Sequence, residues 1–429
     1  MQRQASNLLK NFVLLRLNKT IGNEVLLRIF KGKIILMSFV SFLLLCIMAT
    51  AQASEEQKQD VFCSEELPLI IVGSGLAGHA AAADAYRALS QLRNKAPARG
   101  SIVVLEKEDS FGGNSMKATS GINGALSEFQ TEQKIEDSLE DFKECVFETK
   151  INPKDVMYSY TDKHGEKANE LVTVLTESSG DAVNWLRHEF GLEMTSISQC
   201  GGHSHPRTHR PPSGPAGTMI VKAVHSRLQD LVDFRYKCEV KELLIDDETK
   251  TVIGVKYLDK SNADKPETKI LRGGAVILAS GGYANDHTSD SLLNRYSLMH
   301  ENELPTTNGP FATGDGVKMA SKIGANLIDM SAIQIHPTGF IDPKKPNERT
   351  KFLAPEALRG CGGILINNNG LRFVDELDLR SKVVDKEREQ QKKSAISSNE
   401  RSNEPFRILL NEEAANKFGP NLGFYIKMG

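Results

Sequence analysis

Residues 67–78 read LPLIIVGSGLAG. Leu69–Val72 is an apolar run with the length of a buried strand, and it leads straight into Gly73, Gly75 and Gly78 at the spacing G-x-G-x-x-G. The residues that follow, HAAAADAYRALSQLR, are rich in alanine and lack glycine and proline, which predicts a helix. Strand, glycine turn and helix in this order make a phosphate cradle. Gly73 permits the tight turn, Gly75 lets the backbone approach a pyrophosphate, and Gly78 lets helix and strand pack closely. The helix N-terminus offers unpaired N–H groups and positive dipole to the phosphates, so Ser74 and Ala77 join the three glycines as expected cofactor contacts.

Such a unit needs a second strand that ends in an acid for the ribose hydroxyls. Ile102–Leu105 followed by Glu106 supplies it, with Lys107 next. Glu106 lies 28 residues past Gly78 rather than the usual 20 or so, and the insert SQLRNKAPARG lengthens the helix and loop between them. The alternative for Glu106 is a solvated strand end. Further glycine-rich turns recur at GGNSMKATSGINGA, at GAVILASGGYAN after an apolar strand over 275–279, and at TGDG before a helical pattern. Each alone reads as a turn or an N-cap. Together they converge on one extended cofactor, with Gly113, Asn114, Ser115, Thr119, Ser120, Gly121, Gly281, Gly282 and Asp315 as contacts.

The rest of the 429-residue chain is of ordinary globular composition, 40% hydrophobic and 25% charged, with room for two or three domains. A net charge of -2 gives no basic surface for nucleic acid. The six cysteines have neither zinc nor haem spacing and do not read as a disulfide framework. Residues 1–33 carry seven basic residues and one acid, Glu24, and then comes an apolar run of 17, IILMSFVSFLLLCIMAT, followed by AQA. This predicts a targeting segment over 1–53, read as a secretory signal cleaved after Ala53, with an uncleaved membrane anchor or a mitochondrial presequence as alternatives. The compartment implied is the endoplasmic reticulum and secretory pathway, or else the mitochondrion. Residues 54–66 read as a linker.

His336 sits in SAIQIHPTGF, a titratable ring among apolar residues. Taken alone it is a satisfied core histidine, a general acid, a metal ligand or an anion binder. His203, His205 and His209 with Cys200, in the stretch CGGHSHPRTHRPPSG, raise zinc as one reading and a loop near the cofactor as the other. Glu356, Arg359 and Arg380 fit either a structural ion-pair network or a site for an anionic substrate.

In order along the chain, VGSGLAG, GGNSMKATSGINGA, GGHSHPRTHR, LPTTNG, TGDG, IQIHPTGFIDP, EALRGCGGILIN and RFVDELDLR resemble the soluble FAD-dependent fumarate reductases, relatives of the succinate dehydrogenase flavoprotein, and the yeast-type members in particular. The resemblance runs from about Leu67 to Gly429. It implies an α/β fold with a Rossmann-like FAD-binding domain over 67–331, built on a parallel sheet with helices on both faces, and largely helical material between about 150 and 240. It implies an α+β capping domain over 332–429, in which the polar stretch 384–406 reads as a solvated loop or disordered insert. It implies that His336 holds a carboxylate of fumarate, that Arg380 delivers the proton and that Glu356 and Arg359 relay it. Pro355 stands where a small hydroxylated residue often precedes the relay glutamate.

Succinate dehydrogenases carry a histidine bonded to FAD where this chain has Asn114, so the resemblance implies non-covalent FAD. With no haem motif and one dinucleotide fingerprint, electrons would come from a diffusible reduced flavin or a separate reductase. Family members continue for roughly another hundred residues, which carry the second half of the substrate clamp and support under the flavin ring. On that reading the chain is a truncated form. It would hold FAD loosely and reduce fumarate weakly or not at all. Another 2-enoate reductase, an aspartate oxidase-like enzyme or a flavin-binding isoform without turnover are the competing functions.

Overall fold

The structure, a computed structural model, describes residues 14–16, 26–28, 67–147, 170–298, 301–398, 405–419 and 421–428. Most of the expected targeting segment, including its apolar run, lies outside the described residues. Leu14–Arg16 and Leu26–Arg28 form a short antiparallel pair. Among the described residues no helix is long and apolar enough to cross a membrane.

Four parallel strands form the central sheet: β1 (Leu69–Val72), β2 (Ile102–Leu105), β3 (Asp233–Arg235) and β7 (Ala275–Leu278), in the order β7-β1-β2-β3. Ile70, Ile71, Val103 and Val104 are almost wholly buried, because both faces of the sheet are covered. One face carries α1 (Leu76–Arg93), α2 (Ser179–Phe190) and α3 (Ala216–Leu228), whose Leu76, Leu186, Ile220 and Val224 join Ile71 and Val104 in one core.

The other face departs from the expectation of helices on both sides. It is covered mainly by a second, antiparallel sheet of β4 (Cys238–Ile245), β5 (Val252–Asp259) and β6 (Glu267–Arg272), in the order β6-β5-β4, with α4 (Asp315–Lys322) beside it. The cause is one apolar face on each strand, a period-two alternation shifted once where the β4–β5 pairing is irregular. Cys238, Val240 and Leu243 of β4 and Val252, Val255 and Tyr257 of β5 make one apolar face, which packs on Ile70, Val72, Val103, Leu105, Val276 and Leu278. Between 170 and 240 the described chain combines three helical stretches, at 170–177, α2 and α3, with short strands at Ser196–Ser198, Thr208–Arg210 and β3, so it is less helical than the sequence suggests.

Beyond residue 350, α5 (Glu356–Gly360), β8 (Ile364–Ile366), α6 (Arg380–Ser398), β9 (Arg407–Leu409), α7 (Glu412–Phe418) and α8 (Leu422–Met428) follow, with β8 and β9 antiparallel. Ala354, Ala357, Leu358, Cys361, Phe418 and Tyr425 form their core. Arg210 Nη2 donates to Phe418 O at 3.3 Å and Gly214 N donates to Asn421 Oδ1 at 3.1 Å, which ties this part to the first.

The loop or disordered insert expected over 384–406 is, through Ser398, the helix α6. Its lysines, glutamates, glutamines and arginines are good helix formers, and neither glycine nor proline interrupts them. Buried Val383 and Val384 dock its start, and Asn367 Nδ2 donates to Gln390 Oε1 at 3.1 Å.

Candidate active site

The cradle after β1 has the geometry its glycines require. Gly73 has φ +102°, and a Cβ there would lie 2.5 Å from Ala279 O. A Cβ on Gly78 would lie 2.0 Å from Gly73 O, which is how closely α1 packs on the turn. Gly75 differs: a Cβ there meets only Ser115 Oγ at 3.4 Å and Gly112 O at 4.0 Å, so its outward side is open for a ligand. The first N–H groups of α1 have no intrahelical partner by construction. Leu76 N donates to Ser115 Oγ at 3.0 Å.

Glu106 is buried and turned back onto the cradle. Its Oε2 accepts from Ser74 N at 2.9 Å and Ser74 Oγ at 2.6 Å, and its Oε1 accepts from Glu108 N at 3.0 Å. A carboxylate offers about four lone-pair sites, so the ribose role expected for Glu106 remains open to it. Lys107 Nζ bonds Thr313 Oγ1 at 2.9 Å and Asp315 Oδ2 at 2.7 Å. Asp315 is the first residue of α4. These three residues border a cleft of about 440 Å³ together with Val240 and Phe311.

The remaining cofactor loops meet one another. Asn114 Nδ2 donates to Asn308 Oδ1 at 2.8 Å while its Oδ1 accepts from Gly309 N at 2.9 Å. Gly113 has φ +48°. Gly121 has φ +137°, with His209 O 2.3 Å from where a Cβ would stand. Gly282 O accepts from Gly314 N at 3.1 Å, and the neighbouring Gly281 is exposed. The Thr119 hydroxyl is buried and faces Tyr425. Ser120 Oγ accepts from Ala357 N at 3.3 Å, which sets this loop against the start of α5.

That contact joins the cofactor loops to the second group of expected residues, and the structure brings all four of these together. Arg380 Nη2 donates to Glu356 Oε2 at 2.5 Å and Arg380 Nη1 to Gln334 Oε1 at 2.9 Å. Glu356 Oε1 lies 3.8 Å from Arg359 Nη2 and accepts from Gly201 N at 3.1 Å. Side-chain exposure falls from 20% at Arg380 to 5% at Glu356 and 0% at Arg359. Burial alone would raise the Glu356 pKa, but the Arg380 and Arg359 guanidiniums hold it below the usual carboxylate range. Burial draws Arg359 below its ordinary value against the pull of Glu356. His336 Nδ1 lies 2.9 Å from Thr338 O and 3.3 Å from Thr338 N. Burial and then the nearby Arg380 push this imidazole down to about 4, so it is neutral at pH 7.

The histidine-rich stretch borders the same group. Gly202 N donates to Leu377 O at 2.8 Å, and the charges of Glu356 and Arg380 are felt at His203, which burial and then Arg207 push down to about 4. His205 pairs with Asp141 at 3.2 Å, while His209 is fully buried between Ser127 Oγ (2.6 Å) and Arg207 O (2.9 Å). Among the described residues no three His, Cys, Asp or Glu side chains are grouped to hold a metal.

Sequence reasoning missed His79, fully buried one turn into α1. Its Nδ1–H donates to Gly75 O at 3.1 Å, so the neutral ring accepts at Nε2 from His225 Nδ1 at 3.0 Å. A histidine four residues after the middle glycine of the fingerprint was the available signal. Burial lowers His79 and His209 to about 4. The folded value lies below the unfolded one, so protons favour the unfolded chain between about pH 6.5 and 4. Stability is complete above about 6.5, and each of these two rings costs of the order of 2 kcal/mol by pH 5. Thermal melts are therefore expected to shift down by several degrees or more between pH 7.5 and pH 5; a constant midpoint would contradict this.

Comparison with known proteins agrees with this geometry. The sequence model of the family described as FAD binding domain matches residues 69–402. The chain belongs to that family, and its fold is the Rossmann-like α/β FAD domain with a parallel sheet. It is 39% identical over 324 residues to a fumarate reductase of Schizosaccharomyces pombe, covering 73% of this chain and 58% of that protein. It is likewise 39% identical over 325 residues to fumarate reductase 1 of Saccharomyces cerevisiae, covering 74% of this chain and 63% of that protein. The chain thus spans about three fifths of the length of these curated relatives. Among solved structures, the open conformation of a flavocytochrome c3 fumarate reductase superposes with a TM-score of 0.56 at 25% identity, covering 88% of this chain and 63% of that one.

The residues present fit FAD: an open Gly75 face at a helix N-terminus and a cleft beside Lys107 and Asp315. Gly73, Ser74, Gly75, Ala77 and Gly78 would take the pyrophosphate and Glu106 the ribose.

Proposed function

We propose that this protein reduces fumarate to succinate with FAD held non-covalently. The observation that carries the reading is the Arg380–Glu356 pair at 2.5 Å, flanked by neutral His336 and set beside the cofactor loop by Ser120. Bound reduced FAD supplies the hydride. The chain's own residues do the rest. The planar guanidinium of Arg380 matches a carboxylate and, once it releases a proton to the substrate carbon, draws another through Glu356. An arginine with a pKa above about 12 serves as an acid only when it is reprotonated at once, and Glu356 is in hydrogen-bond contact to do this.

His336 supplies the other grip. Its Nε2 donates to a carboxylate oxygen when Nδ1 accepts from Thr338 N–H, so the dianion selects that tautomer over the one in which Nδ1 donates to Thr338 O. Polarising one carboxylate makes the far alkene carbon more electrophilic. The Asn114 amide is engaged at both ends, Nδ2 donating to Asn308 and Oδ1 accepting from Gly309, and an amide offers no nucleophile for a covalent flavin link. Electrons would reach the site from a diffusible reduced flavin or a reductase, and the basic, apolar leader would direct the chain to the secretory pathway or to mitochondria.

The test is anaerobic. Photoreduced, FAD-loaded protein is expected to recover its oxidised flavin absorbance on addition of fumarate, and acid precipitation should then leave the flavin in the supernatant. Flavin that stays reduced with fumarate would overturn the reading.

A further inference from the structure

Two histidines lie beside the phosphate cradle and take no part in the chemistry proposed above. His79 follows Gly78 in the chain and is fully buried. Phe234 stacks on it at 5.2 Å between ring centres, while Phe111 at 5.8 Å and His225 at 5.2 Å meet it edge-on, which fixes the plane of its ring. His225 is itself stacked on Phe111 at 3.8 Å. Two polar contacts hold the ring further: His79 Nδ1 lies 3.1 Å from Gly75 O, and its Nε2 lies 3.0 Å from His225 Nδ1.

The direction of each hydrogen bond in this line follows from its ends. A carbonyl oxygen only accepts, so His79 Nδ1 carries the hydrogen. Burial lowers both rings, so both are neutral at pH 7; His79 Nε2 then has no hydrogen, and His225 Nδ1 donates to it. Gly75 O thereby accepts twice, from the His79 ring and from His79 N at 3.0 Å. At the other end of the same peptide, Leu76 N donates to Ser115 Oγ at 3.0 Å. The Ser115 hydroxyl, which accepts there, has its own hydrogen to give. It stands 3.4 Å from the point where a Cβ on Gly75 would lie, at the edge of the open face.

We infer that His79 is a positioning residue for the cofactor diphosphate: its ring, oriented by His225, polarises the Gly75–Leu76 peptide, and that peptide's N–H turns the Ser115 hydroxyl hydrogen toward the open face of Gly75. The inference rests on FAD lying in the cradle and is independent of the substrate. Hydrogen bonds in a chain polarise one another, so a peptide pulled at its oxygen is a stronger donor at its nitrogen. A hydroxyl already turned toward an anion does not have to reorient when the anion arrives.

The loop that carries Ser115 is held by the same elements. In the first turn of α3, Gly217 N donates to Ala118 O and Thr218 Oγ1 donates to Met116 O, both at 2.8 Å, while His225 reaches His79 from the last turn of that helix. Gly112 N, next to Phe111, donates to Ser74 O at 3.0 Å. The two histidines thus close a ring of contacts among α1, α3 and the loop from Phe111 to Ala118. Packing alone would be served by any apolar side chain of similar size at position 79, so the polar contacts are what the experiment isolates.

The experiment compares the full chain with its variants His79→Leu, His79→Asn, Ser115→Ala and the double variant of His79→Leu with Ser115→Ala, by equilibrium dialysis against FAD. Leucine fills the space without a donor, whereas the asparagine amide places an N–H close to where Nδ1 stands. His79→Leu is expected to bind FAD about five- to tenfold more weakly, and His79→Asn to recover most of that loss. Ser115→Ala should also bind more weakly, and adding His79→Leu to it should cost little more, because the histidine acts through the serine. In FAD-loaded protein labelled with heavy nitrogen at histidine, magnetic resonance should show His79 protonated at Nδ1 and bare at Nε2. Wild-type affinity in His79→Leu, equal losses in His79→Leu and His79→Asn, simple addition of the two single losses in the double variant, or the opposite tautomer would each reduce His79 to core packing and overturn the inference. If His79→Leu does not fold, the tautomer and a near wild-type affinity in His79→Asn decide it. Wild type that takes up no FAD would remove the cradle assignment itself, and the inference with it.

Discussion

Arg380→Gln is expected to lower fumarate-dependent flavin reoxidation by a factor of about 10²–10⁴, the usual worth of a positioned general acid. The loss should come in the rate at saturating fumarate as well as in affinity, because the side chain both meets the substrate and donates the proton. Two readings of Glu356, Arg359 and Arg380 remain distinct here. If the three are a structural ion-pair network, the cost of Arg380→Gln is one of stability: an uncompensated buried carboxylate is worth about 3–5 kcal/mol, and Glu356 would take up a proton. Arg380→Lys separates the cases. It keeps a positive charge beside Glu356 but loses the planar fork that reaches both Glu356 Oε2 and Gln334 Oε1. A relay predicts that Arg380→Lys melts near the wild-type temperature yet stays at least tenfold slow. Full activity in Arg380→Lys would remove arginine from the chemistry.

Gly78→Ala is expected to cost more than about 4 kcal/mol and to abolish flavin retention, because a methyl group there meets a backbone carbonyl oxygen at 2.0 Å and nothing flexible can yield. The helix must back away from β1, and the phosphate cradle opens with it. Gly75→Ala is the informative partner. Its φ of -66° suits any residue, and its methyl would meet only Ser115 Oγ at 3.4 Å. That protein should fold within about 1 kcal/mol of wild type and lose flavin affinity alone, since the methyl would point into the space a phosphate needs. Gel filtration with absorbance in the flavin bands reads both outcomes. Equal retention by Gly75→Ala and wild type would move the pyrophosphate elsewhere.

The parts of the fold that could be read from sequence are those set by local sterics. The β1–turn–α1 unit follows from three glycines at fixed spacing, though the close approach of Ala279 to Gly73 is a long-range contact, and Glu106 follows from the second buried strand even at an irregular spacing. His336, Glu356, Arg359 and Arg380 could be listed but not assembled, because 44 positions separate the first from the last and their meeting depends on how α5 packs against α6. What stayed hidden has a common cause. Helix α6 is polar on nearly every side, so no stripe marks it, and Val383 and Val384 are its buried apolar anchors among the described residues. The β4–β6 sheet was concealed because a long-range cover for β1 leaves no trace in β1 itself. His79 was passed over as one ring among alanines.

The order of strands across the central sheet bears on how the chain is made. Leu69 of β1 pairs with Ala275 of β7 more than two hundred residues later. At ribosomal rates of about 5–20 residues per second, the first strand waits roughly 10–40 s for its neighbour to be synthesised. Until then one edge of a four-residue, Ile- and Val-rich strand has nothing to bond to, and closure across so large a span is slow. A nascent chain in this condition would lean on holdase chaperones throughout its emergence, and flavin would find a complete seat only after translation has passed α4.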